Sequence, residues 1–203
     1  MRGMMFFAWG LLALAMAAFA FALYMRQAAV NTEEPLPVFG EVNMPFELQN
    51  QWGETITRDD FNGKVWIAYF FFTTCPSICP IMNRNAIAVQ TEFAKNPEVL
   101  LAGFTVDPEN DTVPVLKKWS ERHNAQRGKW HFLTGKRETL YTLSRETFKL
   151  GAEPGDKDHP IVHSDKLVLI DRQGRIRGYY SGVNRDEVQR LLQDIYRVLE
   201  ESR

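Results

Sequence analysis

Cysteine is scarce in this sequence: its 203 residues contain two, Cys75 and Cys79. Imidazole is nearly as scarce, confined to His123, His131, His159 and His163. Neither sign of charge is in excess. Twenty-four basic and 25 acidic residues leave a net charge of −1 and a pI of about 6.4, which carries no nucleic-acid footprint. Internal repeats and low-complexity tracts are absent as well. A hydrophobic content of 45% then suits one globular core plus an extra segment.

That segment is a single long apolar run. Residues 4–25 are 22 positions without a charge, long enough to cross a bilayer as a helix. A cleaved signal peptide is the alternative, with Ala18-Phe19-Ala20 able to mimic a cleavage site, but the run exceeds the usual h-region of roughly 7–15 residues. The expectation is a retained transmembrane anchor over 1–26. Arg2 and the amino terminus precede the span and Arg26 follows it, so the positive-inside bias is slight; the orientation expected is amino terminus cytoplasmic, domain outside. Residues 27–42 carry Asn31, Glu33, Glu34, Pro35 and Pro37 and read as a linker. Residues 43–203 remain for one domain.

The two cysteines sit where an apolar run, 65–72, gives way to a polar helical pattern starting at Pro80. That order reads as buried strand, short turn and helix N-terminus. Side chains four apart on a helix have Cβ atoms roughly 5–6 Å apart, whereas a disulfide needs about 3.5–4.5 Å. The pair can bridge one metal, or close into a disulfide after a small shift. The helix N-terminus favours negative charge, so at least one thiol is expected to have a lowered pKa. In an oxidising compartment a structural disulfide is the plainer reading. So short a loop, however, removes little entropy from the unfolded chain, and the turn is exposed to chemistry.

Along the chain, 46–48 and 54–57 flank Trp52-Gly53 as a hairpin, and Asn62-Gly63 turns into the strand 65–72. A helix over 80–95 carries Met82, Ala86, Val89 and Phe93 on one stripe; for Met82 the helix face outweighs a thioether-ligand role. A strand over 99–106, a helix over 113–123, a strand over 130–134 and a helix over 137–149 follow. After a polar loop, 151–160, come strands 166–171 and 175–180 around Arg172-Gln173-Gly174, and an amphipathic helix over 186–200. Alternating strands and helices with a terminal hairpin and helix indicate a three-layer α/β fold with a mixed central sheet. The cysteine pair after the first long strand narrows this to a thioredoxin-like fold.

Two thiolates suit Cu(I), and Cu(II) prefers an added nitrogen donor. His123, near a helix end, and His131, within a strand, read as ordinary surface or packed histidines. His159 and His163 lie in the loop that, in thioredoxin-like folds, passes over the cysteine turn; spacing does not choose between them. The segment Phe72-Thr73-Thr74-Cys75-Pro76-Ser77-Ile78-Cys79-Pro80, the loop Asp107-Pro108-Glu109-Asn110-Asp111-Thr112, and His163-Ser164 before Leu169-Ile170-Asp171-Arg172-Gln173-Gly174 resemble the Sco/SenC family. Trp130-His131-Phe132-Leu133-Thr134-Gly135 also resembles a segment of that family. The resemblance implies a membrane-tethered, thioredoxin-like copper chaperone that delivers copper to the CuA centre of cytochrome c oxidase. It implies Cys75, Cys79 and His163 as metal ligands for Cu(I) or Cu(II), and the CuA-bearing subunit or another copper or thiol acceptor as partner. A monomer is expected, anchored in the inner (cytoplasmic) membrane with its domain on the periplasmic side.

The sequence departs from the family where Ser77 replaces a frequent Asp, Asn110 a basic residue and Val113 a proline. These changes touch no ligand and bear on partner choice. Asp111 or Thr112 reads as a helix cap, with a partner-facing acidic patch and a hard-metal site as alternatives for Asp107, Glu109 and Asp111. The 155–158 stretch reads as a solvated loop. A metallochaperone is therefore expected rather than an enzyme. The competing reading is a thiol–disulfide oxidoreductase that works through Cys75 and Cys79, although general reductases use C-x-x-C. A peroxidase would place Thr and Pro where Phe72 and Ala68 stand. A binding module with an inert disulfide is the remaining alternative.

Overall fold

The computed structural model describes residues 14–23, 34–153 and 162–201. Residues 14–23, within the expected anchor, are helical with exposed side chains; the rest of that run lies outside the described residues. Among the described residues no helix is long and apolar enough to cross a membrane.

The second compact unit spans Leu36–Arg203, so the expected linker gives up residues 36–42 to the domain. Its strands are β1 (Gly40–Glu41), β2 (Glu47–Gln49), β3 (Thr55–Thr57), β4 (Val65–Phe71), β5 (Val99–Thr105), β6 (Trp130–Leu133), β7 (Ala152–Glu153), β8 (Val162–His163), β9 (Lys166–Ile170) and β10 (Arg175–Ser181). Its helices are α1 (Ile78–Glu92), α2 (Val113–Arg122), α3 (Arg137–Thr142) and α4 (Arg185–Glu201). The main sheet runs β1-β10-β9-β4-β5-β6. β4, β5 and β6 are parallel, and β9, β10 and β1 are antiparallel additions. The mixed sheet and α/β class expected from the sequence are both present.

All seven residues of β4 are buried, because helices or a hairpin cover both faces of the sheet. This is why the strand reads as an unbroken apolar run. Side chains alternate between faces. Val65, Ile67, Tyr69 and Phe71 pack with α1, α2 and α4, while Trp66, Ala68 and Phe70 pack with α3 and the β2–β3 hairpin. On the second face Phe70, Phe104 and Phe148 form an aromatic cluster with centroids 5.4–5.7 Å apart. The buried Gln51 side chain extends the sheet past β6: it donates to the Trp130 carbonyl at 2.7 Å and accepts from the Phe132 N–H at 2.8 Å.

Three boundaries differ from expectation. The helix expected over 137–149 is α3 continued by a π-helical turn, Leu143–Thr147. The loop expected over 151–160 contributes a strand, β7, that pairs with β8. The first strand, β1, lies in the expected linker and pairs with β10.

Arg177 explains why the linker end is structured. It occupies a bulge in β10 and is 3% exposed. Its guanidinium donates to Asp171 at 3.0 Å, to Glu201 at 2.6 Å and to the Leu36 carbonyl at 2.6 Å. One cation thus binds the sheet, the last turn of α4 and the first residue of the domain. Removing one partner from a buried ion cluster strands the remaining charges. Arg177→Met is expected to lower unfolding free energy by about 3–5 kcal/mol in urea titration of the full-length chain; a loss near zero would show that the cluster ties nothing.

Candidate metal centre

Strand β4 ends at Phe71 and α1 begins at Ile78, so Cys75 lies in the connecting turn and Cys79 in the first helical turn. The helix starts two residues before the expected Pro80. Proline is still tolerated there, because the first four helical N–H groups have no intrahelical acceptor. Cys75 is 6% exposed and Cys79 is fully buried. No disulfide joins them. The two thiols are in hydrogen-bonding contact, and the Phe72 backbone also bonds to the Cys79 sulfur. The Ser77 hydroxyl lies 3.8 Å from the Cys75 sulfur.

The expectation of a lowered thiol pKa fails at Cys79, whose thiol burial pushes far above its ordinary value. The helix terminus contributes only about 0.3–1 kcal/mol to a nearby charge. Full burial of a thiolate outweighs that. Cys75 and Asp111 add to the upward shift.

A buried polar chain holds the Cys79 turn from beneath. The Trp130 indole N–H donates to the Tyr69 hydroxyl at 3.0 Å, and that hydroxyl donates to Asn83 Oδ1 at 2.7 Å. Asn83 Nδ2 in turn donates to the Cys79 carbonyl at 3.0 Å. Gly103 makes room for the Tyr69 ring, since a Cβ there would lie 2.9 Å from it.

The Asp107–Thr112 loop holds the same turn from the side. Asp111 is fully buried. Its carboxylate accepts from the Thr73 N–H at 3.1 Å, from the Thr73 hydroxyl and from the Thr105 hydroxyl. The N-cap of α2 is Thr112, without a side-chain hydrogen bond, so Asp111 ties the cysteine turn to the end of β5 and does not cap the helix. Asp107 accepts from Asn110 Nδ2 at 2.8 Å, and Glu109 pairs with Arg137 at 2.7 Å. Asp107 and Asp111 are buried, and Glu109 is exposed. Among the described residues no cluster of three or more His, Cys, Asp or Glu side chains is set to hold a metal, which removes the hard-metal reading of the loop.

The histidines divide. His123 caps α2, with Nδ1 2.8 Å from the Trp119 carbonyl and its ring 4.5 Å from the Trp119 ring. His131 is 8% exposed, 3.3 Å from Asn50 Nδ2, and burial pushes its pKa down. Both are packed histidines, as expected. His159 lies outside the described residues, and of His163 the backbone is described, as the last residue of β8 opposite Ala152. Met82 is fully buried on the inner stripe of α1.

Two reduced thiols on one turn, one near the surface and one beneath it, are a donor set for a soft, low-coordinate ion. Sequence reasoning missed both ties on that turn, because Asn83, Tyr69, Trp130 and Asp111 carry no local signal of meeting it. Burial raises the Asp111 carboxyl above its ordinary range, partly offset by the Thr105 and Thr73 hydrogen bonds. The folded chain therefore binds this proton more tightly than the unfolded one, and the contribution of this group to stability falls as pH rises from about 3.8 through the raised value. Asp111→Asn is expected to remove that decline, measured as unfolding free energy against pH. Asp111→Ala is expected to cost about 1–3 kcal/mol through the stranded Thr73 and Thr105 donors.

Comparison with known proteins agrees with this geometry. The "SCO1 protein homolog" of Bacillus subtilis is 30% identical over 153 residues, which cover 74% of this chain and 79% of that protein. Among solved structures, BsSco superposes with a TM-score of 0.72 at 28% identity, covering 82% of this chain and 98% of that one. It is described as a member of the Sco family of cytochrome c oxidase assembly proteins in which a disulfide switch was identified. Bradyrhizobium japonicum ScoI, solved with copper bound, has the same fold, with a TM-score of 0.66 at 24% identity over 77% of this chain and 99% of that one. A sequence model described as SCO1/SenC matches residues 37–200, and with a thioredoxin-like sheet carrying its two thiols on one turn, the chain belongs to the SCO1/SenC family.

Proposed function

We propose that this protein is a copper chaperone that carries one copper ion on Cys75, Cys79 and His163 and passes it to the CuA-bearing subunit of cytochrome c oxidase. The observation that carries the reading is the reduced cysteine pair, in mutual contact at the mouth of α1. Copper bound to the related ScoI and the oxidase-assembly role of BsSco support the same choice of ion and recipient. The charge-free run over 4–25 supports an anchor in the cytoplasmic membrane, with the domain on its periplasmic side.

The chain's own residues account for capture and release. Cys75, near the surface, is the sulfur an incoming ion or acceptor ligand meets first. Cys79 is held protonated by burial, so copper binding must displace its proton, and affinity is linked to pH. The Tyr69–Asn83 chain and the Asp111 tie keep the turn in one conformation, which lowers the ordering cost of binding. Transfer then proceeds by stepwise ligand exchange: the acceptor sulfur replaces Cys75 before Cys79 lets go. A nitrogen donor at His163 would make the site suitable for Cu(II) as well as Cu(I).

The contact between a thiol with slight exposure and a fully buried one also favours a second reading, reduction of an oxidised copper acceptor. Here the Cys75 thiolate attacks the acceptor disulfide, forming a mixed disulfide and releasing one acceptor thiolate. Cys79 then attacks Cys75, releasing the second acceptor thiol and leaving the Cys75–Cys79 disulfide, so two electrons pass to the acceptor.

Two measurements separate these readings. In Cu(II) titrations of the reduced full-length chain, His163→Ala is expected to lower affinity and change the thiolate-to-copper absorption; an unchanged spectrum and affinity remove His163 from the site. Apparent Cu(I) affinity is expected to rise with pH, about tenfold per unit from the Cys79 proton alone. For the redox reading, Cys79→Ser is expected to trap a mixed disulfide with an oxidised acceptor peptide, and failure to trap one counts against it.

A further inference from the structure

Cys79 and His163 belong to different elements, and something must set the distance between them. Asp165, two residues past His163, is held twice by the end of β10. Its carbonyl accepts from the Gly182 N–H at 2.7 Å, and its carboxylate accepts from the Ser181 hydroxyl at 2.5 Å. The Gly182 carbonyl accepts in turn from Asn85 Nδ2 at 2.7 Å. Asn85 lies on α1, whose first turn carries Cys79.

Gly182 is buried at this junction. A Cβ added there would sit 3.0 Å from the Asp165 carbonyl oxygen, 3.1 Å from Leu167 Cγ and 3.1 Å from Met82 Cγ. Three elements, α1 through Met82 and Asn85, β9 and the residue before it through Leu167 and Asp165, and the end of β10, therefore close on one glycine, where a further carbon would press on all three. An added carbon therefore needs its neighbours to shift by a few tenths of an ångström, and close-packed interiors transmit such strain.

We propose that Asn85 and Gly182 are positioning residues that set the distance between the His163-bearing segment and the Cys79 helix. This rests on the reading of His163 as a copper ligand. Through Asn85, the Cys79 helix is hydrogen-bonded to Gly182, and through Asp165 the chain entering β9 is fixed to the same residue. The cysteines share one turn and need no such brace. The clamp therefore acts on the three-ligand state and leaves the two-thiolate state alone. Outer groups that orient metal ligands typically change affinity 10–100-fold when removed.

The test uses the reduced full-length chain in detergent, as wild type, Asn85→Ala, Gly182→Ala and His163→Ala. Each is titrated with Cu(II) and, separately, with Cu(I) against a chromophoric chelator. Asn85→Ala and Gly182→Ala are expected to weaken Cu(II) binding on the order of tenfold and to shift its thiolate charge-transfer band and EPR signal. Two thiolates by themselves suit Cu(I), so Cu(I) affinity is expected to stay near wild type in both. If His163→Ala weakens Cu(II) binding while both clamp variants keep wild-type affinity and spectrum, the clamp is overturned and the ligand assignment stands. If His163→Ala changes nothing, the ligand assignment falls and the clamp with it. Parallel loss of Cu(I) and Cu(II) binding in the clamp variants would mean general disruption and also overturn the clamp. Should Gly182→Ala not fold, Asn85→Ala decides, because it removes one hydrogen bond without adding an atom.

Discussion

The parallel pairing of β4 with β5 is the constraint on which the site depends. Their register sets Phe71 opposite Thr105, so the two strands end together and their exit loops emerge side by side. One loop carries Thr73 and the cysteines; the other carries Asp107 to Thr112. Adjacent parallel ends are where open α/β sheets gather chemistry. Here the neighbouring loop supplies a buried carboxylate that accepts three hydrogen bonds from Thr73 and Thr105. The D-P segment is therefore a brace for the cysteine turn through the buried Asp111, while Glu109 stays on the surface.

That brace matters because the two sulfurs are unequal. Cys79 sits under the helix start with no exposed surface, and Cys75 sits at the mouth. Burial opposes ionisation of the inner thiol more strongly than the helix terminus favours it. A soft cation reverses the balance, since it compensates the thiolate charge in place. Burial of this kind favours the protonated form of the inner thiol until an ion or an electrophilic sulfur compensates its charge. This fits both metal carriage and thiol exchange on the same pair.

The remainder of the domain keeps the sheet edges in place around that turn. Arg177 draws Asp171, Glu201 and the Leu36 carbonyl to one buried point. The residues that lead into the domain thereby become the edge strand β1. On the far side Gln51 satisfies the backbone of β6. Both devices place a polar side chain where a bare strand edge would otherwise offer unpaired groups. Gly182 does a related task at the site, where absence of a side chain lets three elements meet.

The central strand, the helices and the cysteine turn were legible in the primary structure because each is written in local periodicity: an apolar run at 65–72, a stripe on the helix after Pro80, a C-x-x-x-C between them. Histidines 123 and 131 were legible as ordinary surface or packed residues from their places near a helix end and within a strand. What lay beyond reach were relations between distant positions. The strand β1 has only two residues and no hydrophobic pattern, and exists because β10 offers it an edge. The local cap signal offers Asp111 or Thr112, and Thr112 takes the cap position; the partners of Asp111, Thr73 and Thr105, are met only through strand pairing. The direction of the Cys79 pKa depended on how much protein covers the sulfur. Sequence by itself determined which groups are available and where the chain turns, because those follow from near-neighbour sterics and polarity; tertiary structure alone decided which groups meet and which lose their water, because burial and long-range hydrogen bonds belong to the packed layers as a whole.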